Sequence, residues 1–319
     1  MKAAIVNAFD QPPRYGEIDA PQAGSGEVLV HVRAAALSQL VRAQASGRHY
    51  TSGKILPIVP GADGVGLLED GSRVYFAFPR APIGAMAEIV SVNARYCVAV
   101  PDDIDDVTAA AIANPGMSSW AALRNRAHFK PGERVLINGA AGASGRLAIQ
   151  VAKHLGASRV VATARNPAVE EELRALGADD FIRLDQPVEH LTAALREQIQ
   201  GRGIDIVLDY LWGQPAACIL DALVGYGSGN AAPRVRFVNI GALAGATLPL
   251  NPAVLRGSGL EMVGSGLGSV SNEDLVNVVG LLLQAVMPAN LKVEAQAVAL
   301  SEVETNWQLG GRERIVFTV

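Results

Sequence analysis

The pattern of hydrophobic and polar positions changes near residue 114. Before it, short apolar stretches separated by Gly and Pro turns predict strands. After it, apolar runs alternate with amphipathic stretches of helical period, as in a parallel sheet covered on both faces. The predicted strands are 3–6, 27–35, 64–68, 73–78 and 86–91, then 134–138, 159–163, 180–184, 204–209, 235–240 and 260–264, and finally 292–300 and 314–319.

This order predicts an α/β protein with two domains. A doubly wound parallel sheet at 115–267 is inserted in a mostly β domain formed by 1–114 and 268–319. A length of 319 residues suits two domains, and a hydrophobic content of 50% is enough for two cores.

The clearest chemical signal is a glycine-rich turn between the strand 134–138 and the helix that follows it. The three glycines give a tight turn, close approach of a pyrophosphate to the backbone, and close packing of helix on strand. The helix adds unpaired N–H groups and a positive dipole end. The predicted phosphate site comprises Gly139, Ala140, Ala141, Gly142, Ala143, Ser144 and Gly145.

The residue about 20 positions past this turn is expected to meet the adenosine ribose. That residue is Arg165, followed by Asn166, and no carboxylate lies beside them. A guanidinium can bind the 2′-phosphate that distinguishes NADP from NAD, so NADP(H) is the predicted cofactor. The alternative is that Arg165 is a solvated loop residue.

Charge and cysteine content narrow the class further. A net charge of −4 gives no reason to expect nucleic acid or an anionic membrane as a partner. The apolar runs at the start of the chain and at 275–287 are too short or too interrupted for a signal peptide or a membrane span. With only Cys97 and Cys218, a reducing compartment is the simpler assumption, and a cytoplasmic location is expected.

Several stretches together resemble the medium-chain dehydrogenase/reductase superfamily, and within it the zinc-free quinone oxidoreductase group. The resemblance implies a GroES-like substrate domain, an inserted Rossmann domain and a homodimer. The stretches are 26–30 (GEVLV), 47–50 (GRHY), 60–66 (PGADGVG), 116–123 (GMSSWAAL), 138–145 (NGAAGASG), 176–179 (LGAD) and 205–209 (DIVLD).

Alcohol dehydrogenases of this superfamily hold zinc with two cysteines and a histidine. In this chain Ser38 stands at the first cysteine position and Ala62 with Asp63 at the His-Glu pair. No metal site is therefore predicted. Without a Lewis acid, the resemblance favours acceptors that need little polarisation, namely quinones and α,β-unsaturated carbonyls.

Two catalytic residues are suggested by the resemblance. Tyr50 matches the tyrosine of an Arg-x-Gly-x-Tyr stretch and could donate a hydrogen bond or proton to the reduced acceptor, or only line the cleft. Ser38 lies in 36–41 (ALSQLV), where relatives read Asn-Pro-x-Asp, and its hydroxyl could replace the missing amide. Asp63 matches a family carboxylate but is favoured as a structural residue.

Further cofactor contacts are expected from the resemblance and from the carboxyl ends of the later strands. Ser118 could contact the cofactor or cap a helix at 119–126. The glycines after the sixth strand could instead serve a subunit contact, and Arg312 could be only a solvated charge. The expected residues are Ser118, Asn239, Gly241, Gly264, Ser265, Gly266 and Arg312.

The predicted function is an NADPH-dependent oxidoreductase that transfers hydride to a small-molecule quinone or α,β-unsaturated carbonyl without zinc. Two alternatives stay open at this point. One is a redox-silent NADPH-binding sensor or structural protein, which the altered Asn-Pro-x-Asp stretch permits. The other is a zinc-independent alcohol dehydrogenase.

Overall fold

The computed structural model describes residues 1–49, 52, 55–225, 231–309 and 314–319. The chain divides into two compact units, Met1–Asn114 with Asn272–Val319, and Pro115–Ser271. The boundary at the end of the second unit therefore falls after residue 271, whereas the sequence analysis placed it after residue 267. No helix within the described residues combines the length and the apolar character that crossing a membrane requires.

Unit 2 is built on a six-stranded sheet in which every neighbouring pair is parallel. The predicted doubly wound Rossmann sheet is confirmed. Its strands are β8 (Arg134–Asn138), β9 (Arg159–Ala164), β10 (Asp180–Arg183), β11 (Ile206–Asp209), β12 (Arg234–Asn239) and β13 (Gly259–Gly264), in the order β10-β9-β8-β11-β12-β13.

The central strands are apolar because helices cover both faces of the sheet. All four residues of β11 are buried, as are four of the five in β8, the pattern of a parallel sheet rather than of a half-exposed one. The helices are α2 (Asp106–Ala121), which contains the division between the units, α3 (Ala143–His154), α4 (Glu170–Ala175), α5 (Val188–Arg196), α6 (Gly213–Ala222) and α7 (Pro252–Arg256).

Unit 1 is mostly β, as predicted, with a seven-stranded sheet and a separate two-stranded sheet. The strand Glu27–Ala36 pairs antiparallel with Asp63–Leu67, which pairs antiparallel with Arg73–Ala77, and buried side chains alternate with exposed ones over residues 30–34. The strands are β1 (Lys2–Ile5), β2 (Arg14–Glu17), β3 (Glu27–Ala36), β4 (Asp63–Leu67), β5 (Arg73–Ala77), β6 (Ile89–Asn93), β7 (Cys97–Ala99), β14 (Ala295–Ala299) and β15 (Arg314–Thr318). The helices are α1 (Gln39–Ala45), α8 (Asn272–Ala285) and α9 (Val303–Asn306).

Three sequence predictions were wrong in detail. The strand expected at 86–91 begins only at Ile89, because Met86 bonds to Ala4 and Pro60 outside any ladder. The helix expected at 119–126 is the end of α2, followed by a π-helical turn. Strands β2 and β7 were not predicted, since β2 is polar and β7 has only three residues.

Candidate functional site

The turn after β8 has the geometry that its glycines suggested. Gly139 has φ of 95°, a conformation that residues with a side chain rarely adopt. Its N–H donates to the Thr163 hydroxyl at 3.1 Å, and the N–H of Ala140 donates to the Thr163 carbonyl at 2.8 Å. The side chain of Ala140 is buried, so Ala140 presents only its backbone to the turn. The turn is therefore fixed to the neighbouring strand β9.

The other two glycines differ in the space that a side chain would have. A Cβ on Gly145 would lie 2.5 Å from the Ala140 Cα and 2.5 Å from the Gly139 oxygen, so this position keeps α3 close to β8. A Cβ on Gly142 would meet no atom within 4 Å. Gly142 is therefore not required by the packing of the protein itself, and its bare backbone faces open space.

Helix α3 begins at Ala143 without a side-chain cap. Gly142 is its N-cap residue and offers no hydrogen-bond acceptor from a side chain, so the first N–H groups, including those of Ala143 and Ser144, have no partner within the helix. Arg146 donates to the carbonyl of Ala141 and forms a two-bond ion pair with Glu172 at 3.0 Å. The turn thus combines free backbone donors with a fixed guanidinium.

Arg165 lies directly after β9 and is exposed. Within the described part of the chain its guanidinium forms no hydrogen bond or ion pair. The adjacent Asn166 accepts a hydrogen bond from the Ala168 N–H at 3.0 Å and so begins a short 3-10 helix. The Asn166 side-chain oxygen therefore has a structural task, while the guanidinium of Arg165 is available to an anion.

A hydrogen-bond network runs across four strands at the same edge of the sheet. The Thr163 hydroxyl donates to the Asn138 side-chain oxygen at 2.9 Å, and the Asn138 amide donates to Asp209 at 2.8 Å. Asp209 also accepts from Asn239 at 3.1 Å. Burial raises the pKa of Asp209 and these donors oppose the rise. The polar ends of β9, β8, β11 and β12 are thereby held in register.

The remaining expected cofactor residues of unit 2 lie at the ends of its strands or in α2. Ser118 lies inside α2, so the capping alternative is wrong; its hydroxyl donates to the Pro115 carbonyl at 2.7 Å and lies 3.2 Å from the Tyr210 hydroxyl. Asn239 donates to the Gly241 carbonyl at 2.9 Å. The Ser265 N–H donates to the Asn239 carbonyl at 2.8 Å.

The glycines at the end of β13 and just after it have a different environment from most others in this unit. A Cβ on Gly264 or Gly266 would meet nothing within 4 Å. Arg126 donates to the Gly264 carbonyl at 2.7 Å, which anchors the start of this loop. The structure thus brings residues 139–145, Asn239, Gly241 and Ser265 to the carboxyl edge of one sheet, where open α/β sheets bind ligands.

Two polar residues that the sequence analysis discussed near the substrate, Ser38 and Asp63, are described in unit 1. Ser38 is buried and caps α1 by accepting the Val41 N–H at 3.1 Å. Asp63 is buried at the start of β4 and accepts from the Tyr75 hydroxyl at 3.1 Å. Burial raises the pKa of Asp63 to about 6, against the opposing charge of Arg314. Tyr50 and Arg312 lie outside the described residues.

The residues at the positions of the alcohol dehydrogenase zinc ligands do not fit a zinc site. Ser38 uses its hydroxyl oxygen as a helix cap, Ala62 has no donor atom, and Asp63 is hydrogen-bonded to Tyr75. Across the described ranges no three His, Cys, Asp or Glu side chains are grouped as a metal site would need. Cys97 and Cys218 are free thiols in different units. We therefore assign no chemical step to zinc.

Four polar residues at this end of the sheet were not among the predicted site residues: Asn138, Thr163, Asp209 and Arg146. The signal was available, because Asn138 and Asp209 are polar residues at the ends of otherwise apolar strands. Their mutual contact depends on the strand order, which places β8 beside β11. That order is a tertiary feature, and no local pattern encodes it.

Comparison with known proteins places this geometry in context. A family model described as zinc-binding dehydrogenase matches residues 143–284. A probable NADPH-dependent quinone reductase of Emericella nidulans is 29% identical, with 97% of this chain and 96% of the relative covered. A 2-haloacrylate reductase of a Burkholderia species is 30% identical over 62% of this chain and 64% of its own length.

A solved structure matches this chain over its full length. The quinone oxidoreductase of Thermus thermophilus, also determined in complex with NADPH, covers 100% of both chains with a TM-score of 0.81 and 28% identity. Two other matched proteins are polyketide synthases far longer than this chain, which spans 11% and 8% of their lengths.

Proposed function

We propose a function on the premise that the chain belongs to the medium-chain dehydrogenase/reductase superfamily, in its quinone oxidoreductase-like group. The protein is an oxidoreductase and its cofactor is NADP(H). The proposed reaction is hydride transfer from NADPH to a quinone or to the β-carbon of an α,β-unsaturated carbonyl, without zinc. The supporting observation is the open backbone at Gly142 beside the uncapped start of α3.

The residues of unit 2 fit the cofactor as follows. The N–H groups of residues 142–145 would hold the pyrophosphate, and Arg165 would bind the 2′-phosphate. Asn166, Ser118, Asn239, Gly241 and the loop 264–266 are proposed as further contacts. The nicotinamide supplies the hydride, and the protein supplies binding and orientation.

We propose that residues of unit 1 bind the acceptor and stabilise the charge that forms on it. Reduction places negative charge on the acceptor oxygen, and a hydrogen-bond donor lowers the barrier by stabilising that charge. We assign this donor to Tyr50, with Ser38 as a second polar group and Arg312 as a cofactor contact. The acceptor class is supported by the two relatives, whose names give a quinone and a haloacrylate as substrates.

Cofactor selection gives a direct test. Arg165→Ala should weaken NADPH binding by about 2 kcal/mol, the scale of a charge-assisted hydrogen bond, and leave NADH binding unchanged. Arg95→Ala is the matched control, because Arg95 is an exposed arginine of unit 1 and its loss changes the net charge equally. Titration of both variants with both cofactors measures the difference. Equal affinities before and after the Arg165 change would remove Arg165 from the site.

We also propose that the protein is a cytoplasmic homodimer. Strand β13 lies at the edge of its sheet and its residues are only partly buried, as expected of a strand that pairs with a second copy. Light scattering coupled to size exclusion should give twice the chain mass of 33.3 kDa, and a monomer at micromolar concentration would contradict the assignment.

A further inference from the structure

Asp209 is a buried carboxylate surrounded by hydrogen-bond donors alone. Its two oxygens accept from the side chains of Asn138 and Asn239 and from the backbone N–H groups of Leu211 and Trp212, at 2.8 to 3.2 Å. A protonated carboxyl group would bring its own donor into this ring and displace one of the five bonds. The arrangement of donors therefore selects the ionised form, although burial raises the pKa of the group.

Among the residues that the structure describes, no arginine, lysine or histidine forms an ion pair with Asp209, whereas Asp205 before the same strand pairs with Arg134 at 2.9 Å. Amide dipoles and the start of α6 stabilise the Asp209 carboxylate locally. Dipoles do not remove a net charge, so a negative potential remains around the carboxyl end of β11.

The backbone next to Asp209 is fixed by hydrogen bonds to its carboxylate. Trp212 has φ of 57° and ψ of −154°, a conformation that is costly for any residue with a side chain. Its N–H is fixed by two bonds to Asp209. Leu211 covers Gly139, since a Cβ on that glycine would lie 2.8 Å from the leucine. Asp209 therefore also supports the glycine turn.

The position of Asp209 in the sheet gives the charge a role. Asn138 and Asp209 are the last residues of β8 and β11, the two strands between which the order of the sheet reverses. Dinucleotides bind across this point, with the pyrophosphate at the turn after the first strand and the second nucleotide over the second half of the sheet. The unit that begins at β11 is that second half.

We propose that Asp209 is a positioning and tuning residue: its negative charge makes the site favour the oxidised, positively charged nicotinamide over the reduced, neutral one. This inference rests on the proposed NADP(H) function. It implies that the site assists hydride donation, because the form that remains after transfer is the one that the charge stabilises.

The test is the ratio of the dissociation constants of NADP⁺ and NADPH. For Asp209→Asn, which removes the charge and keeps the shape, we expect this ratio to rise about fivefold or more, since a buried charge acts through an effective dielectric constant of about 20. Binding of adenosine 2′,5′-bisphosphate, which lacks the nicotinamide half, should change by less than about twofold. A merely structural role would weaken all three ligands together.

Two further variants keep the test decisive. Asp205→Asn also removes a carboxylate, yet Asp205 lies at the opposite end of β11 and is paired with Arg134, so it should lower stability and leave the ratio unchanged. Asn239→Lys adds a cation beside Asp209 and should raise the ratio even if Asp209→Asn does not fold. An unchanged ratio in a folded Asp209→Asn variant, or in Asn239→Lys when Asp209→Asn does not fold, would overturn the inference. Failure of the wild type to bind NADPH would overturn the proposed function as well.

Discussion

Gly142 and Gly145 lie only three positions apart in the sequence, yet alanine should affect different properties at the two positions. At Gly142 it should weaken cofactor binding, and at Gly145 it should lower stability. At Gly142 the backbone has φ of −79° and ψ of 167°, which alanine adopts without strain, and the added methyl group would meet no atom within 4 Å. Gly→Ala stabilises by about 0.4 to 1 kcal/mol through the unfolded chain, and loss of the preferred N-cap residue offsets a similar amount. The free energy of unfolding should therefore stay within about 1 kcal/mol of the wild type.

Under the proposed function, the same methyl group would occupy the space that the pyrophosphate needs to reach the N–H groups of α3. We expect Gly142→Ala to bind NADPH at least about tenfold more weakly, equivalent to about 1.4 kcal/mol. At Gly145 the Cβ would lie 2.5 Å from both Ala140 and Gly139. Forcing α3 away from β8 is overpacking and should cost about 1 to 3 kcal/mol of stability.

Urea unfolding and NADPH fluorescence titration separate the two effects. Gly142→Ala should lose affinity with stability retained, and Gly145→Ala should lose stability even without cofactor. Gly132→Ala is unsuitable as a neutral control because its φ of 93° is strained for alanine. Unchanged NADPH affinity in Gly142→Ala would refute the assignment of this turn to the pyrophosphate.

Two other outcomes follow from unit 1. Burial raises the pKa of Asp63 from 3.8 to about 6, so at intermediate pH the folded protein retains a proton that the unfolded chain has released, and stability falls as pH rises through this range. Asp63→Asn lacks this effect, so its free energy of unfolding relative to wild type should rise by about 2 kcal/mol between pH 4.5 and pH 7. Asp70→Asn, at an exposed carboxylate, should show no such rise. A difference between Asp63→Asn and wild type that stays constant with pH would contradict a buried carboxyl group that retains its proton. Tyr50→Phe should lower kcat by about 10²-fold or more with NADPH affinity unchanged, and equal kcat would exclude the phenol as the donor to the acceptor.

The sequence predicted the sheet of unit 2 well because its strands are apolar, short and separated by helices of clear period. The glycine turn was also predictable, since Gly139 has a φ of 95° and Gly145 leaves no room for a side chain. The wrong prediction for 119–126 has a physical cause: α2 continues through Pro115, and a helix that is apolar on all sides shows no period by which to find its start.

The parts of the candidate site that depend on pairing between distant segments could not be predicted. Asn138 reaches Asp209 and Tyr75 reaches Asp63 only through strand neighbours that the local sequence does not specify. Ser38 was expected to contact the substrate; in the structure its hydroxyl oxygen accepts the N–H of Val41, and its contact with a substrate stays a proposal. A serine just before a helix is a common N-cap, and the hydrogen bond from the Val41 N–H is the contact expected of such a cap.

The central claim is that this chain reduces a conjugated acceptor with NADPH, and steady-state NADPH oxidation tests it most directly. Purified protein is assayed with a panel of quinones and a panel of α,β-unsaturated carbonyls, with NADH and with alcohols plus NADP⁺ as comparisons, in the presence and absence of a zinc chelator. We predict acceptor-dependent oxidation of NADPH in preference to NADH, unaffected by the chelator, and no alcohol-dependent reduction of NADP⁺. Tight NADPH binding with no turnover on either panel would contradict the account.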